Sequence, residues 1–215
     1  MLNKKYQSAS SVIATYDNYD FAEGTGIVNF RGFKYDVSGS TVYGLSNQDN
    51  YSYSVETSTA TADTTPAKML DLDFDLNEFE SPKTIKGTAI VSVPLGVDGN
   101  TAGGSTTGFI IAKIRKWDGT TETEIASGTS TTEAVNSGTI NAVKTIKVDI
   151  PITSFKVGET LRLTIEGWGK HPSGFEGYIA VGHDPQNRDG TYITPTTNPV
   201  TTKLNFYCPF RLEEA

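Results

Sequence analysis

The densest polar cluster in the chain is His183-Asp184-Pro185-Gln186-Asn187-Arg188-Asp189, and it holds one of only two histidines. An imidazole beside a carboxylate begins a nucleophile-activating set. The set also needs a Ser or Cys within reach of the ring and a third group to orient it. In an extended segment Asp184 leaves the backbone on the side opposite His183. Asp-Pro followed by Asn-Arg-Asp-Gly also fits a turn whose short polar side chains bond their own backbone. His183, Asp184, Asn187 and Arg188 are therefore read as structural or interface residues rather than catalysts. His171 sits in the glycine-rich stretch G-W-G-K-H-P-S-G after an apolar run. A zinc site built on both histidines would have to recruit carboxylates, because no cysteine pair exists.

Asp71-x-Asp73-x-Asp75 has the opening of a calcium loop, but an EF-hand requires Gly at its sixth position and Glu at its twelfth. Those positions are Leu76 and Pro82. The stretch L-D-L-D-F-D-L instead alternates with a period of two, which is a half-buried strand carrying three carboxylates about 7 Å apart on its outer face. Glu122 with Glu124, or Glu166 with Glu176, can be drawn as glycosidase-like pairs, but nothing marks them beyond their charge. No phosphate loop, dinucleotide fingerprint or nucleophile elbow is present in the sequence. The expectation is a protein with no catalytic residues, no metal and no cofactor.

The elements that would position these residues are strands. The alternation predicts them at 11–16, 26–33, 41–45, 51–56, 68–76, 84–94, 107–117, 123–127, 143–150, 161–165, 177–182 and 202–212. Residues 57–66, 96–106, 128–139 and 183–199 read as polar loops rich in turn-forming residues. Asp118-Gly119 between two β runs marks a hairpin. Roughly ten strands, about eight of them core, without a helical period define an all-β antiparallel sandwich, with a jelly roll as the first choice of topology and an immunoglobulin-like sandwich as the alternative. The organisation expected is an arm over 1–10 and one domain over 11–215, a length that suits a single β unit.

Cys208, the only cysteine, shares a face with Phe206 and Phe210 and reads as a small core residue. Tyr16, Tyr19, Phe21, Tyr51 and Tyr53 lie in an aromatic first quarter among Asn, Asp and Ser, which makes them interface candidates. The net charge of -7 argues against nucleic acid and anionic membranes, which require a basic surface. The first ten residues lack the apolar stretch of a signal peptide, so synthesis in a host cytoplasm is expected.

Four stretches, Y-D-F-A-E-G-T-G (19–26), R-K-W-D-G-T-T-E-T-E-I-A (115–126), G-H-D-P-Q-N-R-D (182–189) and K-L-N-F-Y-C-P-F-R-L (203–212), resemble β-sandwich proteins encoded by tailed bacteriophages and taken to be virion components. The resemblance implies a non-enzymatic capsid decoration or cement protein located in the virion. Its partners would be the major capsid protein or other virion proteins and further copies of itself, a trimer being favoured. The alternative is a carbohydrate- or receptor-binding module of a head fibre or tail.

Overall fold

The computed structural model describes residues 25–50, 55–60, 65–99, 105–171, 177–187 and 200–211. They form twelve strands: β1 (Thr25–Val37), β2 (Ser40–Ser46), β3 (Val55–Ala60), β4 (Ala67–Asp75), β5 (Lys83–Gly99), β6 (Thr106–Trp117), β7 (Glu122–Thr129), β8 (Glu133–Val135), β9 (Gly138–Phe155), β10 (Thr160–Lys170), β11 (Gly177–Gly182) and β12 (Asn205–Arg211). The all-β antiparallel sandwich read from the alternation is the fold observed. Pairing runs β3-β11-β5-β12-β1-β2-β4-β10-β6-β7, with β8 on β6 and β9 on β5. One junction departs from the antiparallel rule: β2 meets β4 in parallel over Tyr43 and Gly44.

Two walls face each other. One is built on β9, β5, β11, β12 and β1, and the other on β4, β10, β6 and β7. Ile85, Val91, Val93, Leu95, Val148 and Phe206 from the first wall and Phe74, Ile110, Ile114, Leu163 and Ile165 from the second belong to one buried cluster. Alternation puts these residues on the inner faces and the charged residues between them on the outside. The walls approach closely where side chains are missing. A Cβ on Gly108 would lie 2.8 Å from Val97, and one on Gly128 would lie 2.8 Å from both Ile146 and the Lys147 carbonyl. Gly128 thus lets β7 close the sandwich against the edge of β9. Lys144 fixes the neighbouring edge: its buried ammonium pairs with Glu133 and donates to Thr131 Oγ1 at 3.0 Å.

The differences from the sequence reading are local. Residues 55–60, read partly as a Thr-rich loop, form β3, and β5 continues through 96–99. Short β8 and the first half of β9 occupy stretches too poor in apolar residues to announce themselves. The expected strand 11–16 and the arm 1–10 lie outside the described residues. Among the described residues no helix is long and apolar enough to cross a membrane.

Candidate functional site

The outer face of β4, β10, β6 and β7 gathers most of the polar side chains whose arrangement the structure specifies. β10 runs between β4 and β6, with Arg162 opposite Asp75 on one side and Arg115 on the other. The Arg162 guanidinium grips Asp75 as a fork, Nε donating to Oδ1 at 2.6 Å and Nη2 to Oδ2 at 2.8 Å. Its third nitrogen, Nη1, donates to Glu122 Oε1 at 3.1 Å, and the whole group lies 4.9 Å over the Trp117 ring. Planar, bidentate pairing of this kind is what Arg provides and Lys does not. Arg115 Nη1 donates to the other Glu122 oxygen at 2.6 Å, and buried Thr164 donates its hydroxyl to Asp73 at 2.6 Å.

A second knot lies further along the same face. Glu166 accepts from Trp168 Nε1 at 2.9 Å and faces Lys113 at 2.9 Å and Lys68 at 3.6 Å. Trp168 in turn stacks on Phe109 with the rings 6.2 Å apart. Burial alone would raise the Glu166 carboxyl, but the Lys113 and Trp168 hydrogen bonds and the nearby ammonium charges outweigh it and hold it below the usual range. Glu122 behaves the same way, burial being outweighed by Arg115 and Arg162. The Arg162 hydrogen bonds to Asp75 raise its own proton affinity further. Neither Glu122 nor Glu166 is therefore poised to give up or take a proton near neutral pH. The face is a rigid, pre-paired charged wall, suited to holding a shape and presenting it.

The three aspartates of L-D-L-D-F-D-L point outward and keep access to solvent, as read, and each is also paired on this wall, Asp75 with Arg162, Asp73 with Thr164 and Asp71 with Lys68. Among the described residues no group of three or more His, Cys, Asp or Glu is placed to hold a metal ion. Sequence reasoning missed the partners of these aspartates, although a signal exists. L-R-L-T-I-E at 161–166 and K-I-R-K-W at 113–117 alternate in the same way, with basic residues on the outward positions.

His183 and Asp184 are fully buried where β11 leaves the sandwich. The His183 ring packs edge-on against Tyr43 at 5.7 Å and against Phe74 at 6.0 Å. Asp184 Oδ1 accepts from Gln186 N at 3.1 Å, and the Asp184 carbonyl accepts from Asn187 N at 3.0 Å. Asn187, exposed and at φ +54, accepts from Thr202 N at 2.8 Å, so the turn is pinned to the approach of β12. The self-bonded turn read from the sequence is present, with His183, Asp184 and Pro185 buried and Gln186 and Asn187 at the surface. The other interface candidates, Tyr16, Tyr19, Phe21, Tyr51, Tyr53 and Arg188, lie outside the described residues.

No family model matches the chain, and no curated protein does either. Solved structures do share its fold. An α-amino acid ester hydrolase superimposes with a TM-score of 0.52 at 9% identity, covering 84% of this chain and 36% of its own. An aminopeptidase from a marine sediment Thaumarchaeota archaeon gives 0.52 at 8%, again covering 84% and 36%. The chain thus corresponds to about a third of the length of these hydrolases, and at such identities the likeness is one of fold. A structure of infectious bursal disease virus covers 89% of the chain, but its TM-score of 0.28 carries no argument. These findings correct two expectations. The well-superimposed neighbours are hydrolases, so the reading as a non-enzymatic virion structural protein, with its fibre or tail alternative, is set aside. So is the expectation that the protein is not an enzyme. What stands of the resemblance is the β-rich sandwich itself.

Proposed function

We propose that the chain is the β-sandwich part of a hydrolase that cleaves ester or amide bonds in substrates bearing an α-amino group. The observation that carries this reading is the superposition, with a TM-score of 0.52, on both an α-amino acid ester hydrolase and an aminopeptidase, over 84% of the chain. Those two proteins are named for different leaving groups but the same acyl side. The sandwich answers to 36% of each of their chains, so the reading assigns the bond-breaking groups to a further catalytic unit. The Arg162 wall agrees with this division of labour. A face whose charges are already mutually satisfied holds its geometry without being consumed by a reaction.

The test is to purify the chain in the form in which its source cell holds it, with any polypeptide joined or bound to it. Hydrolysis of α-amino acid nitrophenyl esters and aminoacyl anilides is then measured beside the 215-residue chain by itself. The reading expects hydrolysis by the native form at least about tenfold above that of the lone chain, a difference worth about 1.4 kcal/mol of barrier. Absence of hydrolysis from both preparations across both substrate series rejects it.

A further inference from the structure

Lys144 is a charged side chain in an apolar place. It stands on β9 directly opposite fully buried Val93 of β5, and the next residue along the same inner face is buried Ile146. The ion-paired lysines Lys68, Lys113, Lys116 and Lys203 keep between 22% and 41% of their side chains exposed, whereas Lys144 keeps 5%. A lysine ordinarily runs its stem over apolar neighbours and delivers its amine to water. Here the amine is delivered to a carboxyl group: Nζ contacts Glu133 Oε1 and donates to Thr131 Oγ1 at 3.0 Å. Both partners are held from the opposite wall. Glu133 lies on β8, opposite Gly108 of β6. The stretch before it is tied to β6, with Ser130 N donating to the Ile110 carbonyl at 2.9 Å and Ile110 N donating to Ser130 Oγ at 3.0 Å.

The contact falls where the main chain makes no bridge. β8 pairs with β6 and β9 with β5, and among the described residues no ladder joins β9 to β7 or β8. An ion pair is a poor fastener for such a seam, because both groups give up water and the Coulomb attraction recovers that only in part. Joining the same two groups covalently removes both charges. An amine and a carboxyl held in contact by a fold react with effective molarities on the order of 10⁵ M or more, which offsets their reluctance to condense in water. We propose that Lys144 and Glu133 form an intramolecular isopeptide bond, Lys144 Nζ to Glu133 Cδ, that closes the sandwich across the β8–β9 seam. The ammonium first passes a proton to the carboxylate along their hydrogen bond, leaving an amine beside a carboxylic acid. Nζ then attacks Cδ. A further proton leaves Nζ through the Thr131 hydroxyl to the OH of the acid, which departs as water while the carbonyl re-forms. One N–C bond is made, one C–O bond is broken, and no oxidant, nucleotide or second protein is consumed. The Glu133 side chain is 25% exposed, which gives the water a way out, and Thr131 Oγ1 is already placed to accept the N–H that the amide keeps.

Intact mass spectrometry of the full chain, incubated in its folded state and then denatured, tests the bond. The native chain comes out lighter than its sequence by the mass of one water, and Lys144→Arg and Glu133→Ala each come out at full mass. Arginine keeps the charge but forms no such amide. A K144R chain that urea unfolding shows to be folded therefore separates the covalent bond from the salt bridge. Trypsin fails to cut after Lys144 in the native chain and releases a peptide over residues 117–147 that is short by one water. Fragmentation of that peptide places the loss between Glu133 and Lys144. Position also distinguishes the bond from a cyclised Asp118-Gly119, which loses one water as well but does so in both variants. A native chain that keeps its full mass after prolonged incubation holds only a salt bridge here and overturns the proposal. So does a loss of water that persists in Lys144→Arg.

Discussion

Arg162 organises the outer wall by joining strands on both of its flanks, reaching Asp75 on β4 and, past β6, Glu122 on β7 from β10. Arg162→Ala takes the bidentate guanidinium partner from Asp75 and leaves Glu122 with Arg115. It is expected to cost about 2 kcal/mol of stability in urea unfolding, less than for a fully buried pair because the side chain keeps some access to water. Arg162→Lys retains the charge but not the fork and should recover only part of that loss. The pH dependence follows from Glu122 and Glu166, whose folded values are both depressed below 4.5. The unfolded chain therefore takes up protons first as pH falls. Their contribution is complete above the ordinary carboxylate value and is lost as pH drops through the folded values. Urea midpoints measured from pH 6 down to pH 3 should fall, and E122Q should flatten part of that decline. At this scale the sequence was half legible. The two faces of residues 70–76 were readable from alternation, whereas the pairing of Asp75 with Arg162 was not, since their 87-residue separation is bridged only by the fold.

Elements meet here through glycines as much as through side chains. A Cβ on Gly169 would sit 2.0 Å from Ile179 Cδ1 and 2.7 Å from the Thr107 carbonyl, and the second of these is backbone that cannot turn away. Gly169→Ala should therefore destabilise by roughly 1–3 kcal/mol through forced separation of β10 from β6 and β11. Gly119→Ala, in open space at φ +91, should show only the smaller backbone strain of its hairpin. A denaturation series on the pair separates steric from conformational cost. The hairpin at Asp118-Gly119 was evident from its dipeptide, and the structure adds its mechanism: Asp118 Oδ1 accepts from Thr120 N and Thr121 N at 2.9 and 2.6 Å. The early part of β9 was not evident. Gly138, Thr139 and Asn141 carry little apolar signal, and that segment is a strand because β5 lies beside it along its whole length.

At the scale of the molecule, Cys208 and the two tryptophans report on opposite walls. Burial raises the Cys208 thiol well above its usual range, so thiol reagents should reach it only when the sandwich opens. Its labelling in urea and the fluorescence change of Trp117 and Trp168 should share one midpoint, as cooperative loss of a single core requires. Fold class was legible because period-two alternation is imposed by the strand itself. Function was not, since the chemistry-bearing residues turned out to be structural knots and the useful comparison lay in three-dimensional shape. The order in which the strands are made carries a further consequence. β12 is inserted between β1 and β5, with Phe206 opposite Phe30 on one side and Val91 on the other. During synthesis the ribosome releases that segment roughly a hundred residues or more after both neighbours, so the nascent sandwich waits with an open slot lined by aromatic and branched side chains. A polypeptide lacking residues 203–211 should bind chaperones, and a synthetic peptide of that sequence, supplied in trans, should complete it as a donated strand.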